Sequence, residues 1–366
     1  MPAARSEPVR TYPYEPDYAV PPGETLRETI ETLGLTQVDL SERSGLSTKH
    51  VNQIIQGVAS ITPDTAFRLE KVTGVPARVW NRLESNFQEQ RLRLEERKRL
   101  AKDLEWLKTL PLKELERREM IPPGPDPTLK LQAVFRFFGV VDRQAWSKVW
   151  IHPQASFRVS KAFKVDQAAL ASWLRLGELE AQDIACADFD RGRFKGALEE
   201  IRTLTVRPPE EFEPRMKDLC ASTGVAVVFV AEIKGARASG AARWLTPARA
   251  LVQLSLRYRW EDQIWFSFFH EAGHLLLHGK RETFIDDGSD ADEYEKEANR
   301  FAQEMLIPSR FSAQLQSIRT KDDVRALAEE LGIAPGIIVG RMQREKWIPY
   351  DRFNDLRRRF RFSDQE

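Results

Sequence analysis

Cysteine is nearly absent from this 366-residue chain, and its two examples, Cys186 and Cys220, form neither a CxxC pair nor a disulfide framework. That scarcity excludes a disulfide-stapled secreted scaffold and points to a reducing cytoplasm. An excess of one charge is also missing: 56 basic residues face 55 acidic ones, for a net charge of +1. No global field selects a partner, so any nucleic-acid surface has to be local. Long apolar runs are lacking as well. The strongest, Ile264 to Leu277, is interrupted by His270, Glu271 and His274 and falls short of the roughly 18 apolar residues a membrane span needs. No membrane partner is expected. The opening MPAARSEPVRTYPYEP has no apolar core of a secretory signal and reads as a flexible arm over residues 1–22. Histidine is scarce too, five in all, yet three of them fall within HEAGHLLLH, residues 270–278.

What is present is ordinary globular composition, 42% hydrophobic and 30% charged, in a chain long enough for two or three domains. Over 23–84 short helical segments alternate with tight punctuation. GETLRETIETLG places Leu26, Ile30 and Leu33 at helical spacing. TQVDLSERSG offers Thr36 as N-cap, Val38 and Leu40 inward and Gly45 as stop, and STKHVNQIIQG starts on Ser47, buries Val51, Ile54 and Ile55 and ends at Gly57. With TPDTAFRLEKVTG and PARVWNRLE these make five helices and an all-α domain. Residues 85–121 are helix formers with dense mixed charge, expected as a charged helical connector. PPGPDP, residues 122–127, marks a boundary. Residues 128–214 form a mostly helical middle region carrying Phe135, Phe137, Phe138, Trp146, Trp150, Trp173 and Leu176.

The period changes after that. GVAVVFVAEI and the alternating ALVQLSL read as strands, the second as an edge strand against which an extended substrate can lie, and KGARASGAARWL between them as a strand or a cleft loop. Helices are expected over 264–278 and 291–306, then a helical pair, giving an α+β domain over 215–345 and a basic tail over 346–366.

HEAGH carries the chemistry. Residues four apart share a helix face, so His270 and His274 can grip one ion, while Glu271 can reach a water on that ion and serve as general base. The apolar flanks IWFSFF and LLL make unpaired histidines costly in a core, which favours a metal over a buried structural helix. A catalytic zinc needs a third protein ligand. In DEYEKEANRFAQEML, Glu295 and Asn299 share a face, so Glu295 can ligate while Asn299 braces a histidine, with Glu297, turned about 200° away, as the alternative ligand. His278 lies about 12 Å along the axis from His270, too far to share the ion, and reads as a cleft-rim, second-shell or surface residue. One Zn2+ per chain, held by His270, His274 and Glu295 with Glu271 as base, implies peptide hydrolysis. Arg243, Tyr258 and Tyr294 are candidates for polarising the scissile carbonyl.

HEAGHLLLHGK followed by EKEANRFAQEMLIP resembles the ImmA/IrrE-type metallopeptidases. The resemblance implies a zincin-like core with the same ligands and base, acting on regulatory proteins, often helix-turn-helix repressors. LTQVDLSERSGLSTKHVNQIIQGVASITPDTAFRLEKVTGVPARVW resembles the Xre-type helix-turn-helix, especially the HigA antitoxin branch. In that frame Gly45 makes the turn, Thr36 and Gln37 meet phosphate, and Ser47, Thr48, Lys49, His50, Asn52 and Gln53 belong to a recognition helix facing double-stranded operator DNA. The expectation is a cytoplasmic, homodimeric transcription regulator carrying a zinc endopeptidase directed at itself, a partner repressor or a toxin. The alternative is an antitoxin and autorepressor whose peptidase-like domain is a non-catalytic sensor or scaffold.

Overall fold

The computed structural model describes residues 17–151, 165–279, 284–286 and 293–362. Most of the arm expected over 1–22, and the last four residues of the basic tail, lie outside them. Two compact units divide the chain, Met1–Leu104 and Glu105–Glu366.

The first unit contains five helices, α1 (Pro22–Thr32), α2 (Gln37–Ser44), α3 (Thr48–Ile55), α4 (Pro63–Thr73) and α5 (Ala77–Leu100). Side-chain caps set their starts. The Thr36 hydroxyl accepts from the Asp39 amide while the Asp39 carboxylate accepts from the Thr36 amide, and the Ser47 hydroxyl accepts from the His50 amide. Gly45 ends α2 at φ 70°, a left-handed conformation that glycine adopts without penalty. Leu26, Ile30, Leu40, Val51, Ile54, Leu69 and Trp80 fill the core.

Three residues expected inside differ. Val38 is 53% exposed and Leu33 47% exposed, and Ile55 is only half buried. Residues two apart on a helix point about 200° apart, so with Leu40 inward Val38 has to face out. Leu33 lies past the last turn of α1. Helix α5 also runs unbroken through residues 84 and 85, where the connector was expected to begin.

In the second unit, α6 (Leu104–Leu107) starts at the division and is followed by α7 (Leu112–Arg117), α8 (Pro127–Phe138), α9 (Arg143–Trp146), α10 (Gln167–Gln182), α11 (Arg191–Thr203) and α12 (Pro209–Ala221). Trp106 stacks on Phe135 at 5.7 Å and meets Trp146 edge-on at 4.9 Å, and Arg118 donates to the Ala231 carbonyl at 2.9 Å. The division between units therefore falls at 104/105, and PPGPDP lies within the second unit. The middle region is helical as expected, but it is no separate layer: Phe194, Leu198, Ile201 and Phe212 share one core with the sheet and the HEAGH helix.

Strands β1 (Val225–Phe229), β2 (Gly240–Thr246), β3 (Arg249–Leu254) and β4 (Phe284–Asp286) lie in the order β1-β3-β2-β4. β1 and β3 are parallel and the other pairs antiparallel. ALVQLSL is thus a central strand rather than an edge. Its alternation misled because both faces are covered: Gln253, fully buried, donates to the Trp173 carbonyl of α10 at 2.7 Å.

Helices α13 (Glu261–Leu277), α14 (Glu293–Leu306), α15 (Ser312–Ser317), α16 (Lys321–Leu331) and α17 (Pro335–Arg344) complete the unit. The expected basic tail folds back as well. Arg357 pairs with Asp262 at 2.8 Å, Arg358 with Glu261 at 2.5 Å, and Phe360 enters the core. Its charges answer two buried carboxylates at the first turn of α13. Among the described residues no helix is long and apolar enough to cross a membrane.

Candidate functional site

Helix α13 carries HEAGH in its last two turns, buried on all sides. Its close neighbour α14 approaches over Gly273, where an added Cβ would stand 3.0 Å from the Phe301 ring and 3.4 Å from the Ala298 Cα. This contact accounts for a glycine inside a helix, and it brings Glu295 to the two histidines.

The Nε2 atoms of His270 and His274 lie 3.0 Å apart. Glu295 reaches the first with Oε2 at 3.0 Å and the second with Oε1 at 3.3 Å. A tetrahedral ion bound at about 2.1 Å sets its ligands roughly 3.4 Å from one another. The donor set, two imidazoles and a carboxylate, also suits zinc, so the residues fit the ion in number, type and spacing. Burial pushes the His274 imidazole down to about 4. Burial alone would raise the Glu295 carboxyl, but its contacts with His270 and His274 outweigh it and hold the group at about 2. Both ligands are in their metal-binding forms at neutral pH.

Asn299 places its side-chain oxygen 3.0 Å from His270 Nδ1. Glu297 stands outside the three-ligand group, its carboxylate 3.1 Å from His278 Nε2. His278 follows the last residue of α13 in an extended conformation, and its side chain is 2% exposed, so it is not a surface histidine. Glu271 is fully buried and packs on β2 at Gly240, where an added Cβ would sit 2.6 Å from its Oε1.

Arg243 does not join the site. Neighbouring residues of a strand face opposite ways, and Arg243 points to α10, donating to the Leu174 carbonyl at 2.7 Å and pairing with Glu178 at 3.2 Å. Burial pulls its guanidinium down to about 10. Tyr294 places its ring 4.7 Å from that of His278, tilted by 55°. Tyr258 lines a cleft of about 290 Å³ that opens onto His270, Glu295 and Asn299. The cleft's other wall includes Asp262, Gln343, Arg344, Tyr350 and Arg357. Sequence reasoning missed these residues and Gly240. For Gly240 the run of small residues in KGARASGAARWL was a usable signal; for the Asp262–Arg357 wall no local pattern exists.

In the first unit the helix-turn-helix residues occupy α2 and α3. The Asn52 amide donates to Gln37 Oε1 at 3.4 Å, joining the two helices. Thr48, Lys49, Thr36 and Ser47 are exposed, while Gln37, His50, Asn52 and Gln53 are partly buried. The Thr36 and Ser47 hydroxyls serve their own helix starts as caps.

Comparison with known proteins agrees with this division. Residues 26–80 match the helix-turn-helix family model and residues 239–343 the IrrE N-terminal-like domain model. No curated protein matches the chain. Among solved structures, it is similar to an addiction module antidote protein of the HigA family from Coxiella burnetii, at 29% identity over 23% of this chain and 94% of that one, with a TM-score of 0.22. The chain joins a helix-turn-helix domain to a peptidase-family domain of the IrrE N-terminal-like type.

Proposed function

We propose that this protein is a cytoplasmic transcription regulator that binds a palindromic operator as a homodimer and carries a zinc-dependent endopeptidase. Its substrate is a regulatory protein: its own chain, a partner repressor or a toxin. The observation that carries the reading is the convergence of His270, His274 and Glu295 at spacings of 3.0–3.3 Å, with Glu271 beside them on the same helix.

A bound zinc ion supplies Lewis-acid polarisation of the scissile carbonyl and acidifies the attacking water. The chain's own residues do the rest. Glu271 takes the proton of the water and returns it to the leaving amine, and Gly240 gives its carboxylate room. Asn299 orients His270. The cleft between Tyr258 and Tyr350 admits a peptide segment. On the DNA side, Lys49, Thr48, Asn52 and Gln53 face the groove, and Thr36, Gln37 and Ser47 lie where helix starts meet phosphate.

Glu271→Gln tests the reading. It should retain zinc, lose hydrolysis of the regulatory target and hold the operator under conditions that release the wild type. If this variant derepresses as the wild type does, the second unit has a non-catalytic role as sensor or partner-binding scaffold.

A further inference from the structure

Glu297 and His278 lie beside the metal group, and the proposed hydrolysis does not use them. Their placement is specific. Helix α13 stops at Leu277, and the extended backbone of His278 turns its ring back over the preceding turn, 4.9 Å from the ring of His274. The contact is between Nδ1 atoms, 2.9 Å apart. On the far side, His278 Nε2 meets Glu297 Oε2 at 3.1 Å.

The proton positions follow from what each group can do. A carboxylate only accepts, so the proton of a neutral His278 sits on Nε2 and its Nδ1 carries the lone pair. That Nδ1 accepts from His274, whose proton is then on its own Nδ1. The lone pair of His274 is thereby placed on Nε2, the atom 3.0 Å from His270 Nε2 and 3.3 Å from Glu295 Oε1. Asn299 does the same for His270 with an amide oxygen. One ligand is oriented by an amide, the other by a carboxylate acting through a second imidazole.

We infer that Glu297 and His278 form a hydrogen-bonded relay that fixes the tautomer and ring orientation of His274 as a zinc ligand. The inference rests on the reading of this group as a zinc centre. Both are positioning residues: neither touches the ion or the scissile bond, and they act by keeping His274 Nε2 aimed into the group. Partners of this kind are worth about 10-fold to 100-fold in metal affinity.

The test is zinc affinity of the full chain, measured by competition with a chromophoric chelator. Glu297→Ala and His278→Phe should each weaken zinc by about 10-fold to 100-fold. Glu297→Gln, which keeps an accepting oxygen, should retain most of the affinity. Glu293→Ala removes a carboxylate from the same helix that, among the described residues, pairs with exposed Lys296 and should leave zinc unchanged. A second readout separates orientation from packing. With five histidines in the chain, ring-nitrogen NMR of the zinc-loaded protein can assign each tautomer. The wild type should show His274 protonated on Nδ1 and His278 on Nε2, and Glu297→Ala should lose the His278 pattern. Unchanged affinity in both Glu297→Ala and His278→Phe overturns the relay, as does an equal loss in Glu293→Ala. A wild type that takes up no zinc removes the centre itself and the relay with it, whereas a wild type that binds zinc with indifferent variants removes the relay alone.

Discussion

Glu271 sits where a strand offers it no side chain. At Gly240 an added methyl would stand 2.6 Å from Oε1 and 2.9 Å from Cγ of the glutamate, closer than real Cβ contacts come. Gly240→Ala therefore has to push the carboxylate aside, at an overpacking cost of about 1–3 kcal/mol. His270 and His274 are not in that contact, so the variant should keep its zinc and lose hydrolysis, which metal analysis alongside a cleavage assay would read. Full activity in Gly240→Ala would mean that the position of Glu271 on β2 is irrelevant to the chemistry. The neighbouring histidines are set by different neighbours, an amide for His270 and a second imidazole for His274.

At the scale of elements, α3 is the part of the first unit that the proposal sends into the major groove. Asn52 is held by Gln37 across the turn, so its replacement removes a strut between helices together with the proposed base contact. Asn52→Ala and Gln53→Ala should each reduce operator discrimination by about 1–3 kcal/mol for a lost bidentate contact, measured by binding to operator and to single-base variants. Unchanged discrimination in both would take them out of the reading set. Short-range physics made such elements legible in the sequence. Thr36 and Ser47 announce helix starts because their hydroxyls serve amides three residues away, and HEAGH announces a shared face because the helix period carries His270 onto His274. Glu295 and Asn299 were legible for the same reason, four residues apart on one helix. Illegible were features decided at long range. ALVQLSL alternates like a half-exposed strand, yet its Gln253 answers the Trp173 carbonyl of α10, 80 positions earlier in the chain. Arg243 is placed by the same helix, and the division at 104/105 by packing of Trp106 on residues well beyond it.

For the whole molecule, the buried groups around the metal site make stability depend on pH. In the metal-free chain the His274 imidazole is held at about 4 instead of 6.5. Between those values the unfolded chain takes up a proton that the folded one refuses, so stability falls as pH drops through that window. Glu295, held at about 2 instead of 4.5, continues the loss at lower pH, since its folded form resists protonation. Burial pushes the carboxyls of Glu261 and Asp262 up, which acts in the opposite sense, so the useful readout is a difference. His274→Gln should lose less stability than metal-free wild type between pH 6.5 and 4, as followed by the melting of the second unit. Equal losses would remove His274 as the source.

The pairs Asp262–Arg357 and Glu261–Arg358 span 95 and 97 residues. During synthesis the helix bearing HEAGH leaves the ribosome first, with two carboxylates at its opening turn destined for burial and no cations yet made to meet them. Its cleft wall is likewise unbuilt until Tyr350 and Arg357 appear. The surroundings of the metal group are accordingly completed late in translation, well after the first unit has every residue of its own core.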